Sequence, residues 1–424
     1  MAGPIPHSAE ATGGPDRVTV YAWLVFAISF GLMVSDYMAR QVLNAVFPLL
    51  KAEWSLSDGQ LGLLSGVVAI MVGLLTFPLS LAADRWGRVR NLTLMAILWS
   101  LATLLCAVAQ SYETMLIGRA LVGIGEAAYG SVGIAVVISV FPARLRATLS
   151  AAFMAGGLFG QVLGVAIGGA VAASHGWRAA FAAIGIAGLV LGMLYPAVVR
   201  ESRVRGLAGP AAGGSDPAPT PLRALVGNRS VRLAYIASGL QLFAAGALPA
   251  WLPSYFNRYY GLPVDKAGSL AAVLLLLCGI GMILCGSLSD RISRIRPEAK
   301  IAVGIGYSLG AAVSLTLAML LPPGIGQLVL LGIAMFLVAG TVGPIGAMVA
   351  NLTPPAIHGS AFATLTLANN LIDLAPGPIL TGRIADGVGL AAAFRMLPIP
   401  CLLAALTFAA MRRSYLSDLR ATSS

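Results

Sequence analysis

Stretches of about twenty apolar residues recur along this chain, and no other feature constrains its fold as strongly. A helix of that length crosses the ~30 Å hydrocarbon core of a bilayer. Inside lipid, only helices and closed barrels satisfy every backbone N–H and C=O. Twelve stretches fit, at 20–46, 59–82, 91–109, 114–140, 146–173, 178–199, 232–256, 266–289, 300–321, 325–351, 360–384 and 391–411. Composition agrees: 58% of residues are hydrophobic and 10% charged, where a soluble domain carries about 25% charge. Mean hydropathy is +0.87. The expectation is an all-α membrane protein of twelve transmembrane helices. Residues 1–19 form a short tail, and the first apolar run is too long for a cleaved signal segment, so it reads as a retained span.

The formal net charge of +11 would suit a nucleic-acid partner only if it were gathered in one patch. It is instead divided by topology. If both termini are cytoplasmic, nineteen Lys and Arg fall on the inner side and six on the outer, as the positive-inside rule requires. No nucleic acid is expected. Cys106, Cys278, Cys285 and Cys401 lie within spans without zinc spacing, and His7, His175 and His358 are scattered. The reading therefore has no metal and no cofactor. No serine elbow or histidine cluster points to an enzyme.

Residues 200–231, rich in Gly, Pro, Ala and Arg, read as a linker. It separates an N-terminal six-helix half (1–199) from a C-terminal half (232–424) that ends in a short tail. The halves share a charged motif after their second spans, "SLAADRWGRVR" at 80–90 and "GSLSDRISRIR" at 286–296. Asp84, Arg85, Arg88 and Arg90 match Asp290, Arg291, Arg294 and Arg296 at a constant offset of 206. Two such halves around a midplane site are the plan of many secondary transporters.

The motif, G-x-L-x-D-R-x-G-R-x-R, resembles the hallmark loop of the major facilitator superfamily. Within that superfamily the chain is most similar to the Spinster group. "RALVGIGEAAY" in span 4, "WLPSYFNRYYG" at 251–261 and "IDLAPGPILTGRIAD" at 372–386 carry the likeness. Span 1, "SDYMARQ", keeps Tyr37 and Arg40 of the family's N-Y-x-D-R-like element. It has Ala39 where the acid is expected and Asp36 one turn earlier. The resemblance implies two pseudo-symmetric six-helix halves and alternating access. It also implies a monomer that moves a small molecule or lipid among membrane lipids. The Ala- and Arg-rich composition points to a bacterial inner membrane, and the charge asymmetry to cytoplasmic termini. A latch would comprise Asp84, Arg85, Gly87, Arg88, Asp290, Arg291 and Arg294. The glycines at 156, 160, 164 and 168 would face the partner half and let it slide, or serve tight packing.

Charges inside spans are costly, so those retained are candidates for function. Asp36 and Arg40, at i and i+4, share a helix face, and Arg119 and Glu126 lie two turns apart. If spans 1 and 4 line one cavity, as the resemblance implies, the four form a cluster that takes up protons. Arg40 and Arg119 would also dock an anionic group. The structural alternative is a packing salt bridge, tied to itself or to carbonyls. Gln161, Gln241, Asn370 and Asp373 are further candidates for substrate binding. Trp251 and Tyr255 would either line the substrate path or gate, or anchor span 7 at the interface. The expected function is a proton-coupled secondary transporter of an amphiphilic or lipid-like anion, with a small organic-anion or drug-like substrate as the alternative. A non-transporting receptor or scaffold would have no need of the buried cluster.

Overall fold

The computed structural model describes residues 18–207, 225, 227–293, 299–354 and 357–423. The first half comprises α1 (Val20–Trp54), α2 (Asp58–Trp86), α3 (Arg88–Ala107), α4 (Tyr112–Glu126), α5 (Tyr129–Ser139) and α6 (Ala143–Val198). A short α7 (Glu201–Leu207) opens the segment read as a plain linker. The second half comprises α8 (Arg229–Tyr260), α9 (Val264–Ser293), α10 (Ala299–Leu320), α11 (Ile325–Val338) and α12 (Val342–Leu352). It continues with α13 (His358–Asn369), α14 (Pro376–Val388), α15 (Leu390–Met396), α16 (Pro398–Met411) and α17 (Tyr415–Ser423).

Ten of the described helical stretches are long and apolar enough to cross a membrane. One of them, Arg144–Val198, holds two spans, because the backbone leaves the helix at Gly176 (φ 83°, ψ 162°). That left-handed φ suits glycine. Before it, positions 156 to 168 climb along α1 from Phe30 to Val42; after it, Gly188 and Gly31 mark the return past Ser35 and Leu191. The α13–α14 stretch supplies another apolar crossing, so the arrangement is consistent with twelve spans. Side chains and backbone together set the ends. The Thr19 hydroxyl accepts from Ala22 N at 3.2 Å, and Ser111 Oγ from Thr114 N at 3.3 Å. Both supply the acceptor that an exposed helix N-terminus lacks.

The glycine ridge packs within its own half and not against the partner, in keeping with the tight-packing alternative. Gly156, Gly160, Gly164 and Gly168 lie against α1 of their own half, where a Cβ would meet Phe30, Val34 O, Met38 and Val42. The partner half is met one residue further on, at Gly169, beside Val264 and Gly268. A periodicity of four defines a face but not which neighbour occupies it.

Three of the four apolar clusters among the described residues reveal how the halves meet. The largest contains residues of both, from Ala39–Leu50 and Leu61–Leu64 to Ala244–Phe256, Ala267–Leu275 and Ala385–Leu397. It lies in the part of the bundle away from the chain termini. Toward the termini the core divides: Ala22–Met33, Val89–Trp99 and Ala128–Phe153 pack in the first half, Val231–Ala237 and Ile345–Leu365 in the second. The halves therefore share one apolar core at the far end and keep separate cores toward the terminal end, which leaves the terminal end as the side on which a cleft between them can open.

Candidate functional site

The helices break where the common core gives way to the two separate ones. Helices α4 and α5 part at Ala127–Ala128, a 3-10 turn (Ala339–Thr341) joins α11 to α12, and a π turn (Asn370–Leu374) joins α13 to α14. Interruptions of this kind inside a membrane occur where backbone lines a cavity or is buried in protein. Buried polar side chains collect at the same level. Among those with an atom that has no hydrogen-bond partner are Asp36, Asn44 and Glu126 in one half and Gln241, Thr341, Asn369 and Asn370 in the other.

On the first half, Arg40 Nε donates to Glu126 Oε2 at 2.5 Å. The Glu126 side chain is fully buried, whereas that of Arg40 keeps 19% exposure. Asp36, one turn before Arg40, is buried beside both groups. Asp36 Oδ1 and Glu126 Oε1 each lack a donor. Arg40 also lies over the Tyr37 ring, 5.2 Å from its centroid. Next to this cluster, Asn44 Nδ2 donates to Gln41 Oε1 and Gln41 Nε2 to Gln161 Oε1, tying α1 to α6.

Arg119 is placed differently from Arg40. Nη1 donates to Ala39 O at 2.8 Å, Nη2 to Arg40 O at 3.2 Å and Nε to Leu64 O at 3.3 Å, and the residue is 1% exposed. It joins α4 to the backbones of α1 and α2, in the manner of the carbonyl-tied alternative, with three of its five N–H donors engaged there. The fork geometry is what reaches three acceptors at once. Arg119→Lys keeps the charge but should lose at least one of these bonds, at about 1.5–3 kcal/mol each. The expected result is a lower unfolding temperature in detergent; an unchanged one would show that the carbonyls find other donors.

On the second half, Gln241 Nε2 donates to Val338 O at 3.2 Å and Asn370 Nδ2 to Thr366 O at 2.9 Å. Each keeps its amide oxygen without a partner. Trp251 and Tyr255 stand apart from this level. Trp251 is 0% exposed, donates to Pro378 O and lies 5.1 Å from the Phe47 ring across the two halves. Tyr255 stacks on Phe394 at 4.8 Å and donates to Gln327. Both belong to the closed far end, and their burial excludes an interfacial anchor. The side chain of Asp373 lies outside the described residues.

A family model described as Major Facilitator Superfamily matches residues 28–372. The chain belongs to that superfamily. A hexuronate transporter of Bacillus subtilis is 24% identical over 364 residues, covering 84% of this chain and 86% of its own. Protein spinster of Drosophila melanogaster is 25% identical over 401 residues, covering 91% and 65%. In fold the chain is similar to a bacterial homolog of the human lysosomal transporter Spinster, solved inward-facing and occupied, with TM-score 0.83 at 20% identity over 95% of this chain and 99% of that one. The protein is thus a superfamily transporter and not an enzyme.

The superfamily loop motif lies at the terminal end, beside the cleft. Gly87 precedes α3 with φ 97°, a conformation open to glycine and strained for other residues. This accounts for the glycine in the motif. Glu201, taken with the linker in the sequence, is part of this turn. Its carboxylate accepts from Arg88 N at 3.3 Å and Val89 N at 2.7 Å and caps α3. Asp290 and Arg291 are exposed at the end of α9. The side chains of Asp84 and Arg85, and all of Arg294 and Arg296, lie outside the described residues.

At the far end, an ionic knot unites four helices. Asp58, 2% exposed at the start of α2, accepts from Lys51 Nζ of α1 at 2.6 Å and from both Arg258 guanidinium nitrogens of α8 at 2.6 and 2.7 Å. Asp386 of α14 accepts from Asp58 N at 2.6 Å and Gly59 N at 2.8 Å, capping α2 from the other half. Below the knot, Gly62 and Gly66 let α2 approach the backbone of α14 at Pro378 and Ala375. In the sequence Lys51 and Arg258 counted only toward topology and the two acids were not used; the acid opening span 2 was the available signal.

Proposed function

We propose that this transporter couples proton movement to that of an anionic amphiphile by alternating access. The observation that carries the reading is the Asp36–Arg40–Glu126 cluster at the apex of the cleft. Two adjoining buried carboxyls with one orphaned oxygen each form a site for one shared proton, since a hydrogen bond between carboxyls exists only when one is protonated. Arg40 is the member that reaches the cleft, so a substrate anion and Glu126 compete for the same guanidinium. When the anion takes Arg40, Glu126 loses the cation bonded to it, keeps only the more distant charge of Arg119 and takes the proton. When the proton leaves, Arg40 returns to Glu126 and the anion is released. Arg119, held by carbonyls, acts in this scheme as a positioning residue for α1.

The amphiphile is favoured by one face of α1. Trp23, Phe26, Phe30 and Tyr37 follow one another at helical spacing and end at Arg40. Successive rings lie 6.0 Å (Trp23–Phe26) and 5.9 Å (Phe26–Phe30) apart. This arrangement offers an apolar track below a cation. A small organic anion is the second reading, favoured by the free amide oxygens of Gln241, Asn369 and Asn370, which would accept from hydroxyl groups. The charge asymmetry supports a terminal end that faces the cytoplasm, with the cleft opening to that side.

Proteoliposomes with an imposed pH gradient test both readings, using a lysophospholipid and glucuronate as probes. The expected result is that the gradient accelerates lysophospholipid movement and leaves glucuronate unmoved. Acceleration of glucuronate alone would support the second reading, and no gradient effect on either would overturn proton coupling.

A further inference from the structure

A groove of about 510 Å³ opens on the outer surface of the first half at its terminal end, away from the cleft. One wall is the start of α3, with Arg90, Thr93 and Leu94; the other is the end of α6 and the turn after it, with Pro196, Val199 and Arg200. Both walls are built in the same order. Arg90 precedes Leu94 by four residues on α3, so the two lie one above the other on one helix face. Arg200 follows Pro196 by four on the opposite wall, where the chain runs the other way. All four side chains are exposed. Leu94 lies one turn further into α3 than Arg90, and Pro196 lies within α6 whereas Arg200 follows its end. Thr93 Oγ1 already donates to Val89 O, and Glu201 is engaged by the N-terminus of α3.

We infer that this groove binds an anionic phospholipid, with the phosphate between Arg90 and Arg200 and an acyl chain against Leu94 and Pro196. The vertical order of charge over apolar wall matches that of a lipid in the bilayer, and two guanidinium groups at headgroup level favour an anionic head over a zwitterionic one. A soluble phosphate compound would use the rim alone and have no need of the lower walls. Occupancy would bridge α3 to α6 at the point where Glu201 already ties the following helix to the loop motif. The site is independent of the central cluster, so its test reads lipid binding and not transport.

Native mass spectrometry of the purified full chain, with phosphatidylglycerol and phosphatidylcholine of identical acyl chains supplied together, provides that test. Wild type is expected to retain phosphatidylglycerol in preference, on the order of tenfold or more. The Arg90→Gln/Arg200→Gln double variant should lose that preference at an unchanged unfolding temperature, since both side chains are exposed. Arg203→Gln, whose guanidinium lies over the Tyr21 ring and outside the groove, should keep it. A preference that survives the double substitution, or is absent from wild type, overturns the inference. Displacement of the bound lipid by glycerol phosphate added alone would also overturn it, by showing that the rim recognises a soluble phosphate.

Discussion

Glu126→Gln should abolish the response to a pH gradient while leaving the transporter able to bind and exchange its substrate. With glutamine, the carboxyl pair can no longer share a proton, and Arg40 loses its ionic partner to a neutral amide of the same shape. The substrate anion then has Arg40 to itself at every pH. A one-unit gradient is worth about 1.4 kcal/mol per proton, or roughly tenfold accumulation. Wild type should approach that figure per proton moved, and the variant should stop at equal concentrations on both sides. Exchange of labelled for unlabelled substrate without a gradient should persist. If the variant still accumulates substrate, the proton is carried elsewhere; if exchange also stops, the pair is needed for the conformational cycle itself. Asp36→Asn separates the roles of the two acids. It leaves the Arg40–Glu126 bond at 2.5 Å in place and removes only the second carboxyl.

The sequence made the two-half plan legible because length and repetition need no partner to be read. A stretch of twenty apolar residues spans, and an offset of 206 relates two copies of one loop. Which charges meet was less legible. Asp36, Arg40 and Glu126 could be nominated together because burying a charge in lipid is costly, and the structure brings those three side by side. Arg119 met the same criterion, yet it bonds three carbonyls, because a helical repeat gives a residue's face and not the acceptor opposite. The same limit applies to the glycine ridge, whose spacing was clear and whose neighbour was not. Trp251 and Tyr255 illustrate the converse. Aromatics near a span end resemble interfacial anchors, and only the packing of α8 against α1 and α14 shows them enclosed. Lys51 and Arg258 entered only the tally of outer-side charge, and Asp58 and Asp386 drew no reading, since a residue at a span end looks the same in sequence whether it faces water or another helix.

Those far-end charges support the second large effect. Asp58 is buried with cations from both halves, so its loss leaves Arg258 and Lys51 close together with no anion between them. The Arg258 and Lys51 side chains keep 24% and 38% exposure, so solvent relieves part of the loss. The cost is about 1.5–3 kcal/mol, on the order of tenfold or more in a two-state equilibrium. Asp58→Ala should therefore shift the protein out of the far-end-closed state seen here. Spin labels at Glu113 and Ile325, exposed far-end positions in opposite halves, should show a new population at longer distance, and net transport should fall with it. Lys51→Gln provides the graded comparison. The Lys51 side chain is 38% exposed, and Arg258 keeps both bonds to Asp58, so the expected cost is at most about 1 kcal/mol with little change in the distance distribution. Two variants with equal, small effects would mean that closure rests on the approach of α2 to α14 at Gly62 and Gly66. In that case Gly62→Val, which would force a side chain against Pro378 O, should open the far end where Asp58→Ala did not.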